Sequence, residues 1–107
     1  MPRNPRDPRL NRKKSNEFSL GAAIEAWIEQ TKLEDGLRFE RVRANWAHIV
    51  GPLIASRTEG IWLIEGVIYL RMKSPSWNHE VSFARDRIRH EINAYVNHPL
   101  CSDVRLR

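Results

Sequence analysis

The segment between Trp46 and Trp77 constrains the fold of this chain more than any other part of the sequence. Gly51-Pro52 is typical of a helix end, because glycine accepts a left-handed conformation and proline cannot continue the helix. A run rich in β-branched and aromatic residues follows, interrupted by the two-residue turn Glu65-Gly66. Ser74-Pro75 then offers a capping hydroxyl and a proline for the first turn of a new helix. The expected order is therefore helix, hairpin, helix.

The hairpin strands are predicted at residues 61–64 and 67–72. Side chains alternate between the two faces of a strand, so one face is expected to be apolar, with Ile68, Leu70 and Met72. The other face is aromatic and basic, with Tyr69, Arg71 and Lys73. Two interpretations of this second face remain open. Either a helix covers it, or Trp62 and Tyr69 are free to stack on nucleic-acid bases.

Helical periodicity predicts three helices. The first covers residues 19–32, with one apolar face formed by Leu20, Ala23, Ile24, Trp27, Ile28 and Thr31. Gly36 is expected to separate it from a second helix that ends at Gly51 and has an apolar stripe formed by Phe39, Val42, Trp46, Ile49 and Val50. A short helical turn is expected over 52–57. The longest helix is predicted at residues 75–96, where His98-Pro99 stops it.

Residues 103–107 form a candidate last strand. The predicted order is α-α-β-β-α-β, an α+β fold in which a three-stranded sheet is packed by the long helix. If the last strand runs parallel to a hairpin strand, the crossover through the long helix should be right-handed. With 107 residues, the chain is expected to form one small domain over residues 18–107.

The formal charge of +5 is concentrated at the start of the chain. Residues 1–14 hold six basic residues and one acidic residue, and the rest of the chain holds twelve of each. Three prolines and few apolar residues predict that residues 1–17 are a disordered tail. In a polyproline II conformation, its arginines would form one basic stripe suited to phosphate. The alternative is a solvated tail that binds nothing. The basic residues are Arg3, Arg6, Arg9, Arg12, Lys13 and Lys14.

Several kinds of chemistry have no support in the sequence. No apolar run is long enough to span a bilayer, and a single cysteine, Cys101, fits a reduced, cytoplasmic protein. The four histidines lack metal-ligand spacing, and no phosphate-binding glycine motif occurs. The acidic residues Glu80, Asp86 and Glu91 lie among arginines, as surface ion pairs do. No catalytic residue, metal or cofactor is therefore expected.

The spacing of the motif residues resembles that of a known bacterial family. Trp46-x-x-Ile49-Val50-Gly51, the hairpin with Gly66 and Leu70, and Ser74-Pro75-x-Trp77 together resemble the DciA-like family over about residues 19–107. The resemblance implies a KH-like fold and a non-enzymatic role, since characterised relatives assist loading of the replicative helicase and bind nucleic acid. The Gly-x-x-Gly loop with which KH domains clamp a nucleic-acid backbone is absent from this sequence.

The leading hypothesis is therefore a cytoplasmic, nucleoid-associated adaptor that binds DNA, single-stranded or double-stranded, and engages the replicative helicase. The expected phosphate contacts are the basic tail together with Arg71, Lys73, Arg85 and Arg89. The alternatives are a KH-like RNA-binding protein and a pure protein–protein adaptor. A structural role is expected for the motif residues Trp46, Gly51, Gly66, Pro75 and Trp77.

Overall fold

The computed structural model describes residues 19–107. Residues 35–107 form one compact unit, and residues 19–34 belong to another. The helices are α1 (Leu20–Ala44), α2 (Trp46–Val50), α3 (Pro52–Ser56), α4 (Pro75–Ser82) and α5 (Arg85–Val96). The strands are β1 (Thr58–Ile64), β2 (Val67–Met72) and β3 (Asp103–Leu106). The α+β class, the three-stranded sheet and the short helix after Gly51 are confirmed, but the element order contains more helices than predicted.

The sheet has the strand order β1-β2-β3. Strands β1 and β2 pair antiparallel, whereas β2 and β3 pair parallel. Glu65 and Gly66 form the turn of the hairpin with φ angles of 49° and 81°. Two successive positive φ angles are those of a type I′ turn, whose twist matches the twist of the flanking strands. The predicted hairpin is confirmed, and the right-handed crossover stays a prediction.

The core lies on one face of this sheet, the inner sheet face. Ile68, Leu70 and Met72 of β2 are buried there, as the alternation predicts. Ile88 and Ile92 of α5 are fully buried in the same apolar cluster. Each such side chain contributes about 1.5–3 kcal/mol through burial. The cluster also contains Phe39, Val42, Trp46, Ile49, Val50, Val81, Val96, Leu100, Cys101 and Val104.

The predicted helix break at Gly36 is wrong. Helix α1 continues through Gly36 and ends at Ala44. A glycine inside a helix costs only about 1 kcal/mol relative to alanine, and no proline follows to stop the chain. Asp35 does not cap a new helix but accepts a hydrogen bond of 3.1 Å from the Arg38 guanidinium one turn later. The break comes at Asn45, whose side-chain amide donates to the carbonyl of Arg41.

The predicted long helix over residues 75–96 is also wrong, because it is divided into α4 and α5. The backbone N–H groups of Phe83 and Ala84 donate to carbonyls three residues earlier, which tightens the last turn of α4. The Ser82 hydroxyl donates to the carbonyl of His79 at 2.6 Å, a local bond that competes with the helical ladder. Helix α5 ends at Val96, and the cap residue Asn97, in the left-handed conformation, lies just before the predicted stop at His98-Pro99.

The predicted caps around the hairpin are confirmed in part. The Ser74 hydroxyl accepts a hydrogen bond from the backbone N–H of Trp77, and Pro75 occupies the first turn of α4. Gly51 has the expected positive φ of 94°, but its ψ of 154° lies outside the left-handed helical region. The indole N–H of Trp46 donates to the Thr58 hydroxyl at 3.0 Å. This bond joins α2 to the start of β1.

Candidate nucleic-acid interface

The sheet face opposite the core, the outer sheet face, gathers aromatic and basic side chains. Strand pairing places Trp62 of β1 directly opposite Tyr69 of β2, and Tyr69 directly opposite Arg105 of β3. Side chains on this face are half-buried or exposed, and Trp62 keeps 39% of its surface accessible. The face consists of Gly60, Trp62 and Ile64 from β1, Val67, Tyr69 and Arg71 from β2, and Asp103, Arg105 and Arg107 from β3 and the residue after it.

Arg107 lies over the two aromatic rings of this face. Its guanidinium carbon is 5.5 Å from the centroid of the Trp62 ring and 5.3 Å from that of Tyr69. Both distances are within the range of a cation–π interaction. The backbone N–H of Arg107 donates to the carbonyl of Leu70, so parallel pairing with β2 places it there. The two rings therefore form a surface that holds a planar, positively charged group.

Gly60 allows Trp62 to lie close to its own strand. A Cβ atom at position 60 would be 2.6 Å from Cη2 of the Trp62 ring, which is too close for any side chain without movement. The indole therefore covers the backbone at Gly60. Position 60 requires glycine because a side chain would not fit beside the Trp62 ring. The backbone conformation does not require it, since the φ of Gly60 is not in the positive region.

An open groove lies beside Trp62. Its volume is about 510 Å³, and its walls come from the end of α1, from Trp46 and from the start of β1. Arg43 in this wall is 3.7 Å from the Glu40 carboxylate. Trp62 therefore belongs both to the outer sheet face and to the wall of this groove.

The charges of the outer sheet face are mostly positive. Asp103, its acidic residue, accepts a hydrogen bond of 3.1 Å from the Arg105 guanidinium. This bond, with a second from the backbone N–H of Val104, lowers the pKa of the Asp103 carboxyl below its usual value. Within residues 19–107, no ion pair neutralises Arg71 or Arg107. The face thus offers positive charge next to accessible aromatic rings.

The structure does not bring the four basic residues predicted for the folded part into one patch. Arg71 lies on the outer sheet face and Lys73 is exposed just after β2. Arg85 and Arg89 lie on α5, the helix whose apolar side packs on the inner sheet face. Arg85 is exposed, but Arg89 is half-buried and donates to the Asp86 carboxylate at 2.9 Å. Asp86 therefore pairs with an arginine, as expected for a surface acid.

The six basic residues predicted for the tail, and the predicted disorder of residues 1–17, lie outside the described residues. Among the motif residues, Trp46 is buried and Trp77 packs half-buried against the core. The Arg57 guanidinium lies 5.4 Å from the centroid of the Trp77 ring. The structural role of the two tryptophans stays a prediction.

Two basic residues of the outer sheet face were missed by the sequence predictions. Arg105 and Arg107 alternate with the apolar Val104 and Leu106, a pattern that places both arginines on one face of a strand. This alternation can be seen in the sequence, but no pattern in nearby residues indicates which strand pairs with β3. Phe83 was also missed. It is 77% exposed at the turn between α4 and α5, where its ring contacts His79 edge to face.

The first part of α1 presents its apolar residues to solvent. Leu20 and Trp27 are 77% and 68% exposed, and Ile24 is also exposed. These residues share the helical face that the periodicity predicts, but they do not belong to the buried core of residues 35–107. Large apolar side chains gathered on one exposed face are typical of a contact with another macromolecule.

The described residues contain no group of histidine, cysteine or acidic side chains that could hold a metal ion. His79 and His90 lie on different helices, α4 and α5, and not on one helix as the sequence predicted. Cys101 is buried, and burial raises the pKa of its thiol. A buried, protonated thiol is a poor nucleophile. None of the helices from residue 19 onwards has the length and hydropathy of a membrane span.

Together, the fold and the outer sheet face define a small α+β protein with a basic and aromatic sheet surface. The family model described as "Dna[CI] antecedent, DciA" matches residues 19–106, which is most of the chain. The chain therefore belongs to the DciA family, as the motif spacing indicated. No curated protein and no solved structure matches it.

Proposed function

We propose that this protein is a non-enzymatic adaptor that binds nucleic acid and engages the replicative DNA helicase to assist its loading. Membership of the DciA family, which is associated with helicase loading, supports the helicase as partner. The observation that carries nucleic-acid binding is the outer sheet face, where Arg71 and Arg107 are not neutralised by any described acid. Such a protein acts in the cytoplasm, at the nucleoid.

The charge distribution of the chain supports this function. Residues 35–107 contain eleven basic and eight acidic residues, whereas residues 19–34 contain three acidic residues and one lysine. The compact unit is therefore basic in its own right, in addition to the basic residues 1–14. Lysine and arginine contacts to phosphate supply sequence-independent affinity that falls as salt concentration rises. In this proposal, the tail and Arg71, Lys73, Arg85 and Arg89 are the phosphate contacts.

A KH-like fold is part of the same proposal. After α3, the elements follow the order β-β-α-α-β, with β2 and β3 adjacent and parallel. The turn between the two helices is Phe83-Ala84, flanked by Ser82 and Arg85, and none of these four residues is a glycine. A Gly-x-x-Gly turn lets a nucleic-acid backbone approach closely, and Phe83 and Ala84 present side chains instead. We therefore do not propose that this turn clamps a nucleic-acid backbone.

The proposed nucleic-acid binding is tested by measuring the affinity for single-stranded DNA at low and at high salt. The measurement is made on the full chain and on a variant that lacks residues 1–14. The full chain should bind at low salt and lose affinity at high salt, and truncation should reduce both the affinity and the salt dependence. Equal binding by both forms would remove the tail from the proposal. Cross-linking in cells that recovers RNA and no DNA would favour the RNA-binding alternative.

The exposed apolar face of α1 favours a protein contact as well, which supports the adaptor role. Co-purification with the replicative helicase of the same organism tests this contact. Trp27→Ala should reduce recovery of the helicase, because it removes the largest exposed side chain of that face. Glu29→Ala, on the polar side of the same helix, is the matched control and should leave recovery unchanged. If the wild-type chain recovers no helicase, the proposed partner is wrong.

A further inference from the structure

We infer that the outer sheet face binds single-stranded nucleic acid by stacking unpaired bases on Trp62 and Tyr69. This inference rests on the proposed function and specifies its ligand: a strand whose bases are accessible, and not a duplex. The site consists of Trp62, Tyr69 and Arg107, with Arg71 and Arg105 beside them.

The geometry of the two aromatic residues supports stacking. Trp62 and Tyr69 are directly opposite each other on antiparallel strands, where Cβ atoms of paired residues lie about 4.5–5.5 Å apart. Both rings lie beside the same Arg107 guanidinium, so they face a common space on this side of the sheet. Trp62 remains 39% exposed even with Arg107 lying over it, so part of its surface is already accessible to a ligand.

Arg107 occupies the position that a base would take. Its guanidinium is planar and lies 5.3 Å and 5.5 Å from the two ring centroids. No described carboxylate holds it there through an ion pair. An incoming base can replace this guanidinium on the rings or stack against it, since arginine stacks on bases as well as on aromatic side chains.

Positive charge is placed where the phosphates of a stacked strand would run. Arg71 is two residues from Tyr69 on the same face, a separation of about 6.8 Å along the strand. Arg105 lies opposite Tyr69 on β3. A strand whose bases stack on the two rings therefore has Arg71, which no described acid neutralises, beside Tyr69 on β2, and Arg105, which pairs with Asp103, beside it on β3. This charge complementarity selects a polyanion over a neutral or basic partner.

Single strands are preferred because of how bases are covered in a duplex. In double-stranded DNA each base face is stacked on its neighbour, so the rings of a flat protein surface cannot reach it without unstacking. In a single strand every base can offer its π-face, and stacking tolerates any sequence. The outer sheet face should therefore discriminate by strandedness and not by sequence.

Fluorescence anisotropy with the full chain tests the inference. The probes are a labelled oligothymidine of about 16 nucleotides and a labelled duplex of similar length. Trp62→Ala and Tyr69→Ala should each weaken oligothymidine binding by about 5- to 150-fold, the range expected for loss of one stacked base. Duplex binding should change by less than about 2-fold, since phosphate contacts remain. Trp62→Phe, which keeps an aromatic ring, should retain most of the affinity.

Phe83→Ala is the matched control, because Phe83 is another exposed aromatic residue, at the turn between α4 and α5 and not on the sheet. It should leave oligothymidine binding unchanged. If Trp62→Ala and Tyr69→Ala also leave it unchanged while the wild-type chain binds, the stacking site is wrong and the proposed nucleic-acid function stands. If the wild-type chain binds neither probe at low salt, both are wrong, and the helicase contact is judged separately by co-purification.

A second measurement avoids any variant that fails to fold. Oligothymidine carrying photoreactive 5-iodouracil can be cross-linked to the unmodified full chain, and the attached peptide identified by mass spectrometry. Cross-links should map to Trp62 or Tyr69, because photo-cross-linking of this base favours aromatic side chains in stacking contact. Cross-links confined to the tail or to α5 would overturn the inference.

Discussion

The two faces of strand β2 have the same backbone and different roles. On the inner sheet face, Ile68 and Leu70 are fully buried in the apolar cluster, and they contribute to stability through burial. On the outer sheet face, Tyr69 is half-buried and Arg71 is exposed, and these side chains are available to a ligand. Because adjacent residues of β2 lie on opposite faces of the sheet, the substitutions that change stability should differ from those that change ligand binding.

Leu70→Ala should give the largest effect on stability, because it leaves a cavity in the core. The expected loss in the free energy of unfolding is about 2–5 kcal/mol, measured by urea denaturation. Arg71→Ala, at the next residue on the outer sheet face, should change that free energy by no more than about 0.5 kcal/mol. Similar losses for the two variants would contradict the assignment of the faces.

Gly66→Ala should have the next largest effect, because the turn sets the register that separates the two faces. A Cβ at Gly66 has space, with Ser102 Oγ at 3.6 Å, but the φ of 81° strains any side chain. The expected loss is more than about 1 kcal/mol in the same denaturation experiment. Glu65→Asn should instead raise stability by about 0.5 kcal/mol, since asparagine accepts positive φ more readily. A neutral Gly66→Ala variant would show that the turn is not strained.

Gly60→Ala tests the packing of Trp62 on the outer sheet face. The added Cβ would lie 2.6 Å from the Trp62 ring, so the ring must move and tryptophan fluorescence should change. We expect a loss of about 1 kcal/mol from this overpacking. Gly36→Ala, inside α1 with nothing within 4 Å of the added Cβ, should increase stability by about 0.5–1 kcal/mol. A gain at both positions would mean that Trp62 does not lie over Gly60.

The smallest expected effect concerns the Asp103–Arg105 ion pair on the outer sheet face. The pKa of Asp103 is lowered in the folded protein, chiefly by Arg105, so the pair stabilises the fold above the unfolded pKa of the carboxyl. That contribution is lost as pH falls through the lower, folded pKa. Titration by NMR should show the depressed pKa, and Arg105→Ala should move it back towards the usual value. An unchanged pKa in Arg105→Ala would remove the ion pair as its cause.

Local patterns predicted the parts of the fold that depend on neighbouring residues. Alternation placed Ile68, Leu70 and Met72 in the core, and the caps at Ser74-Pro75 marked the start of α4 correctly. The helix boundary predicted at Gly36 was wrong, and the boundary at Phe83-Ala84 was missed. The first depends on a small propensity difference that the rest of a long helix can outweigh. The second depends on a tightened turn that has no strong sequence signal.

The candidate site was predicted in part. Trp62, Tyr69 and Arg71 were assigned to one face from β-strand periodicity, which is a property of the hairpin alone. Arg105 and Arg107 could not be added to that face, because their position depends on the pairing of β3 with β2. Arg85 and Arg89 were grouped with Arg71 by charge, but α5 packs on the inner sheet face.

The sequence by itself determined the hairpin, its turn, the caps around it and the family to which the chain belongs. These features depend on residues a few positions apart, whose backbone preferences act locally. Only the tertiary structure decided that β3 lies parallel to β2, which brings Arg107 over Trp62 and Tyr69 from more than thirty positions away. The reason is physical: strand pairing is selected by burial of the whole inner sheet face in the apolar core, and no short segment carries that information.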